Sequence, residues 1–499
     1  MQVNYLRLFL VAIAGASLVL AYAPFSYWWL IFVCPAILFA VIVKQPIRMA
    51  LLYGYVFGLC FFGFGVPWTY NSIHEFGHAP ALLSAILAAL LVIILALFPA
   101  ITSALAAKLV SKLKFDFSSV LVFACLWVLF EWIRSWIFTG FPWLLIGHVH
   151  HSGPLQSILP IFGSYGASWV SILLACFFMV ILFAKTKQKT ISFISIVVIF
   201  LSLFILKQVN WVQVDDESLD VALIQGNISQ EMKWDQTKHV FIMEKYLEMS
   251  RRHFEADIIV WPETAIPTYY TLVKDSFIKK VGKEAYENKL DFLIGVFTYD
   301  PENGRVYNSV MTLGNELSFY RKQRLVPFGE YLPFRGLLTF LDKYIQLPMA
   351  DISSGEGRPL VRLKGHPVGT SICYEAVYGN EVIRALPEAK FLVNVSNDAW
   401  FGDSLAPHQH LEITRSRAVE TGRFLLRATN TGISAIINPK GEIIDKSVQF
   451  QGDVIRAVIY PYSGMTLYVR WGNWGIILII MACLLLVLSY QRITRQKNL

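Results

Sequence analysis

The stretch that decides the fold of the charged middle of this chain is DIIVWPETAIP, residues 257–267. Its first half contains the run Ile258-Ile259-Val260, which has no polar alternation and is typical of a strand buried on both faces. The acid that follows, Glu263, lies between Pro262 and Pro267, and the fixed φ of proline stiffens the backbone around it. The stretch therefore predicts a covered sheet with a carboxylate held at the end of one strand.

Similar short runs recur along the chain from residue 219, and polar, helix-compatible segments separate several of them, for instance 235–254 and 406–423. Alternating strands and helices of this kind predict one α/β domain, which we expect to span residues 212–470. The predicted strands are 220–225, 257–261, 291–297, 306–313, 367–373, 390–396, 433–438 and 453–459.

The charged residues are gathered in this domain, and the rest of the chain is apolar. Of the 499 residues, 55% are hydrophobic and only 16% are charged, whereas soluble proteins have about 25% charged residues. Of 35 acidic residues, only Glu75, Asp116 and Glu131 precede Asp215, and none follows Asp453. This distribution excludes an ordinary soluble enzyme and a disordered chain.

The apolar regions predict a polytopic helical bundle of about eight spans, because a membrane span needs about 20 mostly apolar residues. Seven spans occupy residues 1–211, and the eighth lies in 471–499 together with a basic cytoplasmic tail. The predicted spans are 6–23, 27–43, 50–70, 81–107, 118–138, 158–184, 191–207 and 473–490.

The placement of Lys and Arg predicts the orientation of these spans. Basic residues lie before the first span and in the loops after the second, fourth, sixth and last, whereas the loops 22–26, 71–80 and 139–157 contain none. Basic loops stay in the cytoplasm, so both termini are predicted to be cytoplasmic. The α/β domain then lies on the other face, which in a bacterium is the periplasmic side of the inner membrane. The net charge of +8 therefore marks orientation, and we expect no nucleic-acid partner.

The first span has an alternative interpretation as a signal peptide, since Ala21-Tyr22-Ala23 resembles a cleavage site. Cleavage there would leave Pro24 at the new N-terminus, which we expect to be a poor substrate. It would also leave seven spans and place either the α/β domain or the C-terminal basic cluster on the wrong side. We therefore expect the first span to be retained.

Glu131 and Arg134 lie within a predicted span, three residues apart and on one helix face. Charges inside a membrane are functional candidates, but a structural ion pair facing the bundle interior is the simpler interpretation. The aromatic, uncharged motif TGFPW at 139–143 suits an interfacial belt or a lipid-contact surface next to a site.

Cys373 is the candidate nucleophile. It is the single cysteine of the α/β domain, and a lone thiol in an oxidising compartment invites oxidation unless function retains it. It follows the apolar run 368–372 at the predicted end of a strand. A buried structural cysteine is the alternative. The remaining cysteines lie in the predicted spans, where they pack as small apolar side chains: Cys34, Cys60, Cys125, Cys176 and Cys483.

A cysteine nucleophile needs a base and a group that stabilises the developing oxyanion. Glu263 is the candidate base, and Lys322, within YRKQRLVPFGEYLP at 320–333, is the candidate for the second role. Taken alone, however, a lysine beside Arg321 and Arg324 is more typical of a solvated basic surface.

The histidines of the domain do not indicate a metal site, since His408 and His410 are two residues apart, which is not the spacing of a helical metal pair. No G-x-G-x-x-G, P-loop or G-x-S-x-G motif follows a predicted strand, so dinucleotide, nucleotide and α/β-hydrolase sites lack their usual markers. We expect neither a metal nor a diffusible cofactor.

Four ordered motifs resemble the Glu–Lys–Cys catalytic set of the nitrilase, or carbon–nitrogen hydrolase, superfamily. They are WPE at 261–263, Lys322 ahead of LVPFGE, Cys373 followed by Tyr374-Glu375, and NVSNDAWFG at 394–402. With such a domain inserted before the last span, the whole chain resembles the apolipoprotein N-acyltransferase family. The similarity includes QGNISQEMKWD at 225–235 and TGFPW.

This resemblance implies an αββα sandwich and an acyl transfer through a thioester on Cys373. The implied donor is a membrane phospholipid, phosphatidylethanolamine, and the implied acceptor is the N-terminal amine of diacylglyceryl-modified apolipoproteins, both in the inner membrane. It also implies Glu263 as general base and Lys322 as oxyanion support. The remaining positions that it marks are Glu330 beside the site, and Tyr374, Glu375 and Trp234 at the pocket and its lid.

Two other functions remain open at this point. A membrane-tethered nitrilase-type amidase would use the same three residues with water in place of the lipoprotein amine. A transporter or receptor with a sensing domain is the non-enzymatic alternative, although the chain has no internal repeat of the kind that many transporters show. The apolar segment 331–350 is a candidate lid that dips into lipid.

Overall fold

The computed structural model describes residues 4–110, 113–331 and 352–496. The chain divides into two compact units. Unit 1 comprises Met1–Tyr70, Ala81–Val209 and Trp471–Leu499, and unit 2 comprises Asn71–Pro80 and Asn210–Arg470. The candidate lid lies, from residue 332 onward, outside the described residues.

Helices dominate unit 1, and helices and strands alternate in unit 2. The described helices are α1 (Tyr5–Leu18), α2 (Leu30–Ile42), α3 (Ile47–Gly65), α4 (Trp68–Asn71), α5 (Ala81–Leu109), α6 (Phe117–Arg134), α7 (Leu159–Phe183), α8 (Thr186–Leu206), α9 (Gln230–Trp234), α10 (His239–Arg251), α11 (Tyr270–Val273), α12 (Lys279–Glu287), α13 (Gly379–Val382), α14 (Ala406–Thr421), α15 (Leu467–Trp471) and α16 (Trp474–Gln496). The described strands are β1 (Val212–Val214), β2 (Leu219–Gln225), β3 (Ile258–Val260), β4 (Ile266–Tyr269), β5 (Asp291–Asp300), β6 (Arg305–Leu313), β7 (Phe319–Arg321), β8 (Leu360–Leu363), β9 (His366–Ile372), β10 (Phe391–Ser396), β11 (Leu425–Thr429), β12 (Ala435–Ile437), β13 (Ile443–Lys446), β14 (Asp453–Ile459) and β15 (Tyr462–Gly464).

Unit 1 is the apolar helical bundle that the sequence predicts. Among the described helices, six are long and apolar enough to cross a membrane by length and composition: α3, α5, α6, α7, α8 and α16. Two shorter apolar helices, Tyr5–Ala21 and Leu30–Ile42, occupy the first two predicted spans, so the number of spans is approximately eight. A helix satisfies its own backbone hydrogen bonds, as the interior of a bilayer requires.

Small residues bring α3 and α5 into close contact. A Cβ atom added at Gly54 would lie 2.5 Å from the Pro99 carbonyl oxygen, and one added at Gly58 would lie 2.8 Å from the Ala96 Cα. The spacing Gly-x-x-x-Gly is typical of membrane helices that pack backbone against backbone.

The two charges of α6 bind the loop that follows this helix. The buried Arg134 guanidinium donates to the carbonyl oxygens of Phe141 at 3.2 Å and Trp143 at 2.7 Å. The buried Glu131 carboxylate accepts from the backbone N–H of Ile146 at 3.1 Å. Both side chains thus form hydrogen bonds with backbone groups of the loop 141–146. The expectation of a structural ion pair did not include this role.

Unit 2 contains two larger sheets built around parallel central strands. The first has the order β14-β2-β3-β5-β6-β7, with β4 beside β5, and the second has the order β13-β12-β11-β10-β9-β8. Strands β2, β3 and β5 are parallel to one another, as are β9, β10 and β11. A covered parallel centre explains the continuous apolar runs in the sequence.

The core of unit 2 has three layers of apolar contacts, which define an αββα sandwich. Between the sheets, residues of β2 and β3 such as Val221 and Val260 pack with residues of β9 and β10 such as Val368 and Val393. The outer face of the first sheet packs against α10 and α12, and the outer face of the second packs against α14. The predicted fold class is confirmed.

Several strands were not predicted, and one of them, β11, lies inside the second sheet. Arg427 and Thr429 interrupt its apolar run, so the sequence Leu425–Thr429 does not resemble a covered strand. Both polar side chains are buried and hydrogen-bonded, which is what allows them inside a sheet.

The contact between α3 and α5 predicts opposite effects for two glycines of the same helix. Gly58→Ala should destabilise the protein by about 1–3 kcal/mol, because the new Cβ meets backbone atoms that cannot move aside. Gly63→Ala is the matched control, since the nearest atom to its Cβ would be Val92 Cγ1 at 3.9 Å. It should be neutral or stabilise by up to about 1 kcal/mol through helix propensity. Thermal unfolding of the two variants in detergent measures this difference, and equal shifts would contradict the packing described.

Candidate active site

Glu263 lies in a tight turn directly after β3. The preceding Trp261 is buried in the core between the first sheet and its helices, and its indole N–H donates to Ser250 Oγ at 2.8 Å. On the other side, Thr264 has a φ of +49°, and a Cβ at Gly295 of β5 would lie 2.3 Å from the Pro262 carbonyl oxygen. The turn that carries the carboxylate is therefore fixed by backbone contact as well as by the flanking prolines.

Both oxygens of the buried Glu263 carboxylate have defined partners. Oε1 accepts from Asn308 Nδ2 at 2.7 Å and lies 3.5 Å from Lys322 Nζ. Oε2 accepts from the backbone N–H of Asn397 at 2.8 Å. These contacts fix the direction of the carboxylate.

Lys322 follows β7 and is only 1% exposed, so it does not belong to a solvated basic surface. Its Nζ donates to Glu330 Oε1 at 2.9 Å. Burial alone would lower the pKa of Lys322, but the charges of Glu330 and Glu263 outweigh it and raise that pKa above its usual value. Lys322 therefore remains an ammonium at every physiological pH.

Glu330 completes a buried cluster of three charges. Its Oε1 also accepts from Asn308 Nδ2 at 3.1 Å, and its Oε2 accepts from the backbone N–H of Val326 at 2.8 Å. Asn308 thus donates to both carboxylates. The structure brings Glu263, Lys322 and Glu330 together, as the sequence predicts.

Cys373 is the residue immediately after β9, and its φ of +52° is a left-handed conformation that non-glycine residues rarely adopt. Such strain is common at functional sites, where it fixes the direction of a side chain. Cys373 is 7% exposed. Burial, reinforced by the charge of Glu263 and opposed by that of Lys322, raises the pKa of its thiol to about 12. The side chain of Cys373 is therefore a neutral thiol at rest, close enough to the charges of Glu263 and Lys322 for both to act on it.

Glu375 connects the end of β9, next to Cys373, with the segment that follows Lys322. One carboxylate oxygen accepts from the backbone N–H groups of Gln323 and Arg324, at 2.7 and 3.0 Å, and the other accepts from Ile372 N–H at 2.7 Å. The Tyr320 hydroxyl donates to the first oxygen. Glu375 therefore links the segment after Lys322 to the end of the strand that precedes Cys373.

Tyr374, which directly follows Cys373, and Trp234 on α9 are both half-buried. The Tyr378 hydroxyl donates to the Tyr374 hydroxyl at 3.1 Å. The Trp234 ring packs against Phe297 with centroids 6.1 Å apart. Phe297 pairs with Asn308 across β5 and β6, which places Trp234 near the carboxylate cluster.

A second buried polar network adjoins Cys373 through Ser396, and the sequence did not predict it. Asp398 accepts from Ser396 Oγ at 2.8 Å and from Arg427 Nη2 at 2.6 Å, and His410 Nδ1 lies 3.2 Å from it. Ser396 hydrogen-bonds the Cys373 thiol and opposes the rise in its pKa. His410, which the sequence offers as one of several candidate bases or metal ligands, instead contacts Asp398 and Arg427.

Two further site residues, Asn308 and Asn397, were not assigned roles from the sequence. Asn397 lies in the quoted motif NVSNDAWFG, but it contributes its backbone N–H, which no residue pattern predicts. Asn308 offered one signal, since it is a polar residue in the middle of the strand run 306–313. Among residues 4–110, 113–331 and 352–496, no group of three or more His, Cys, Asp or Glu is placed to hold a metal ion.

Comparison with known proteins identifies both parts of the chain. Residues 14–177 match the Apolipoprotein N-acyltransferase N-terminal domain, and residues 220–461 match Carbon-nitrogen hydrolase. A solved structure of Nit3 from Saccharomyces cerevisiae, a member of the nitrilase superfamily, aligns with a TM-score of 0.38 at 16% identity. That alignment covers 51% of this chain and 93% of Nit3.

Full-length relatives are similar over nearly the whole sequence. The apolipoprotein N-acyltransferase of Methylococcus capsulatus is 39% identical over 94% of this chain and 93% of its own length. The apolipoprotein N-acyltransferase of Coxiella burnetii is 38% identical over 96% of this chain and 99% of its own length. With a buried carboxylate, ammonium and thiol in the α/β unit and an apolar helical bundle before it, the chain belongs to the apolipoprotein N-acyltransferase family.

Proposed function

We propose that this protein transfers an acyl chain from a membrane phospholipid, through a Cys373 thioester, to the N-terminal amine of diacylglyceryl-modified apolipoproteins. The observation that carries this proposal is the arrangement of Glu263 and Lys322 around a buried thiol at the end of β9. The fixed carboxylate can take the thiol proton, and the permanent ammonium can stabilise negative charge. Similarity over nearly the full length to relatives named apolipoprotein N-acyltransferase supports the substrate class.

In the first step, Glu263 takes the proton of Cys373 as the sulfur attacks the ester carbonyl of the phospholipid. Because the thiol pKa is about 12, the proton leaves in concert with attack and not beforehand. Lys322 stabilises the tetrahedral oxyanion. Glu263 then returns the proton to the departing alkoxide, which leaves as a lysophospholipid.

In the second step, the α-amine of the lipoprotein cysteine attacks the thioester carbonyl. A C–N bond forms, the C–S bond breaks, and Glu263 moves a proton from the nitrogen to the departing sulfur. Lys322 again stabilises the oxyanion. The product amide leaves Cys373 as the free thiol, so the cycle needs no redox change.

The placement of lysine and arginine in the loops supports a location in the bacterial inner membrane. In this proposal both termini are cytoplasmic, residues 212–470 form the periplasmic catalytic domain, and phosphatidylethanolamine is the donor. Tyr374, Glu375, Glu330 and Trp234 support the site. The amidase alternative is not favoured, because a small soluble amide would give no reason for similarity to N-acyltransferases across the apolar helices.

A thioester on Cys373 is the first testable consequence. Protein incubated with vesicles of dipalmitoyl phosphatidylethanolamine should gain one palmitoyl group on the peptide containing Cys373, and hydroxylamine should remove it. Glu263→Gln should slow this adduct by about 10²–10⁴-fold, the usual contribution of a positioned base. Intact-protein and peptide mass spectrometry measure both results.

Cys373→Ala should give no adduct, and Cys125→Ala is the matched control, since this other buried cysteine lies on α6 in unit 1. Acylation of a lipopeptide acceptor by Cys373→Ala would rule out the nucleophile. An adduct from phosphatidylglycerol but not from phosphatidylethanolamine would rule out only the proposed donor.

The second testable consequence concerns Glu330, whose carboxylate holds the ammonium of Lys322. In Glu330→Gln the ammonium loses its nearest carboxylate at 2.9 Å and is drawn toward Glu263, where it occupies the electron pair that should accept the thiol proton. The rate of adduct formation should fall by about 10–100-fold, part of the contribution of a general base. Rapid-quench mass spectrometry measures this rate.

Glu284→Gln is the control for Glu330→Gln, since Glu284 pairs with Arg251 on the protein surface at 2.7 Å, where such pairs contribute about 0–1 kcal/mol. It should leave the rate unchanged. A Glu330→Gln protein that reacts within twofold of wild type would show that Glu330 does not tune the site.

A further inference from the structure

Lys233 is a buried lysine at the site that the two steps above do not use. It lies on α9, next to Trp234, and is 2% exposed. Its Nζ donates to the backbone carbonyl oxygen of Glu263 at 3.1 Å. Lys233 therefore contacts the residue that carries the base, at the backbone rather than at the carboxylate.

The two buried lysines of the site have different partners. Lys322 has carboxylate oxygens at 2.9 and 3.5 Å. Within the described part of the chain, no carboxylate forms an ion pair with Lys233, whose hydrogen bond is to a neutral carbonyl group. A buried ammonium without a carboxylate is costly, so such a lysine favours the neutral amine.

The electrostatic surroundings of Lys233 agree with its contacts. Burial lowers the pKa of Lys233 to about 7, and the charge of Glu263 only partly opposes this. The ring of His239 also hydrogen-bonds the backbone carbonyl of Lys233. Because the pKa is depressed, the amine form is present above about pH 7 and is lost as the pH falls below that value.

Acyl transfer to an amine involves one proton more than Glu263 can hold. An α-amine has a pKa of about 7.7–8.0, so the acceptor arrives mainly as an ammonium at neutral pH. Of its three N–H protons, one stays in the product amide and one passes through Glu263 to the cysteine sulfur. The third must leave before the nitrogen can attack. Formation of the acyl-enzyme has no such extra proton.

We propose that Lys233, as a neutral amine, takes this third proton from the incoming ammonium and so acts specifically in the second step. Lys233 becomes an ammonium, the acceptor nitrogen gains the free electron pair with which it attacks the thioester, and Lys233 later releases the proton to water. One N–H of the Lys233 amine can stay on the Glu263 carbonyl while its electron pair accepts the proton. This inference rests on the proposed acyl transfer and adds to it a residue for acceptor activation.

The test separates the two half-reactions in full-length wild type, Lys233→Met and Lys233→Arg. Adduct formation on Cys373 from phosphatidylethanolamine vesicles measures the first step. Loss of the isolated adduct to a synthetic diacylglyceryl-cysteine lipopeptide, at pH 6.5–9.5, measures the second. Methionine cannot bind a proton and arginine does not release one, so both variants remove the acceptor, while arginine keeps a donor for the Glu263 carbonyl.

Both variants should form the adduct within about threefold of the wild-type rate. At pH 7, where about half of Lys233 is the neutral amine, they should lose about fivefold in the second step, because only about a tenth of an α-amine with a pKa near 8 is already neutral. The loss should shrink to within about twofold at pH 9, where the free amine prevails. This pH-dependent recovery is a result that a merely structural role would not give.

Lys245→Met is the matched control, because Lys245 Nζ also donates to a backbone carbonyl, that of Gly226, at 2.7 Å, without contacting Glu263. Both of its half-reactions should match wild type. An equal loss in both steps at every pH for Lys233→Met and Lys233→Arg would overturn the inference and leave Lys233 a structural support of Glu263. A wild-type second step in Lys233→Arg would also overturn it. Absence of a wild-type adduct would instead contradict the proposed function.

Discussion

The constraint on which the rest of unit 2 depends is the burial of Glu263, Lys322 and Glu330 within hydrogen-bonding distance of one another. Removing three charges from water costs several kcal/mol per ion, and only close pairing and further hydrogen bonds recover this cost. Asn308, which donates to both carboxylates, and the backbone N–H groups of Asn397 and Val326 supply those bonds. Each member therefore depends on the others, and the cluster is stable only as a whole.

The αββα sandwich meets this requirement because it brings the ends of separate strands to one place. The carboxyl ends of β3, β9 and β10 carry Glu263, Cys373 and Asn397, in agreement with the general position of sites in open α/β sheets. Lys322 comes from the end of β7, and Glu375 holds the segment after it at a fixed distance from the end of β9. The tight packing between the sheets is thus what sets the geometry of the charged cluster.

The sequence predicted the parts of this site that depend on residue type and failed where geometry depends on the backbone. A lone cysteine, an acid between two prolines and a lysine ahead of another acid are visible in the residues, and the structure brings these groups together. The N–H of Asn397 and the left-handed φ of Cys373 have no signature in side chains. Strand β11 was missed because Arg427 looks unfit for a covered strand until its buried partner Asp398, distant in sequence, is known.

Burial of Cys373 has two consequences: it protects the thiol from oxidation, and it keeps the thiol unreactive until a substrate is bound. A thiol whose pKa is about 12 is almost never a thiolate at rest, and the thiolate is the form that oxidants and stray disulfides attack. Burial therefore protects Cys373, the proposed nucleophile, on the proposed periplasmic side, where a lone exposed thiolate would be oxidised. In the proposed reaction, the same burial keeps the thiol unreactive toward lipid until Glu263 removes its proton, which happens only when an ester carbonyl is already in place. A lower thiol pKa would speed the first step at the expense of this protection, and the carboxylate of Glu263 beside the sulfur opposes such a change.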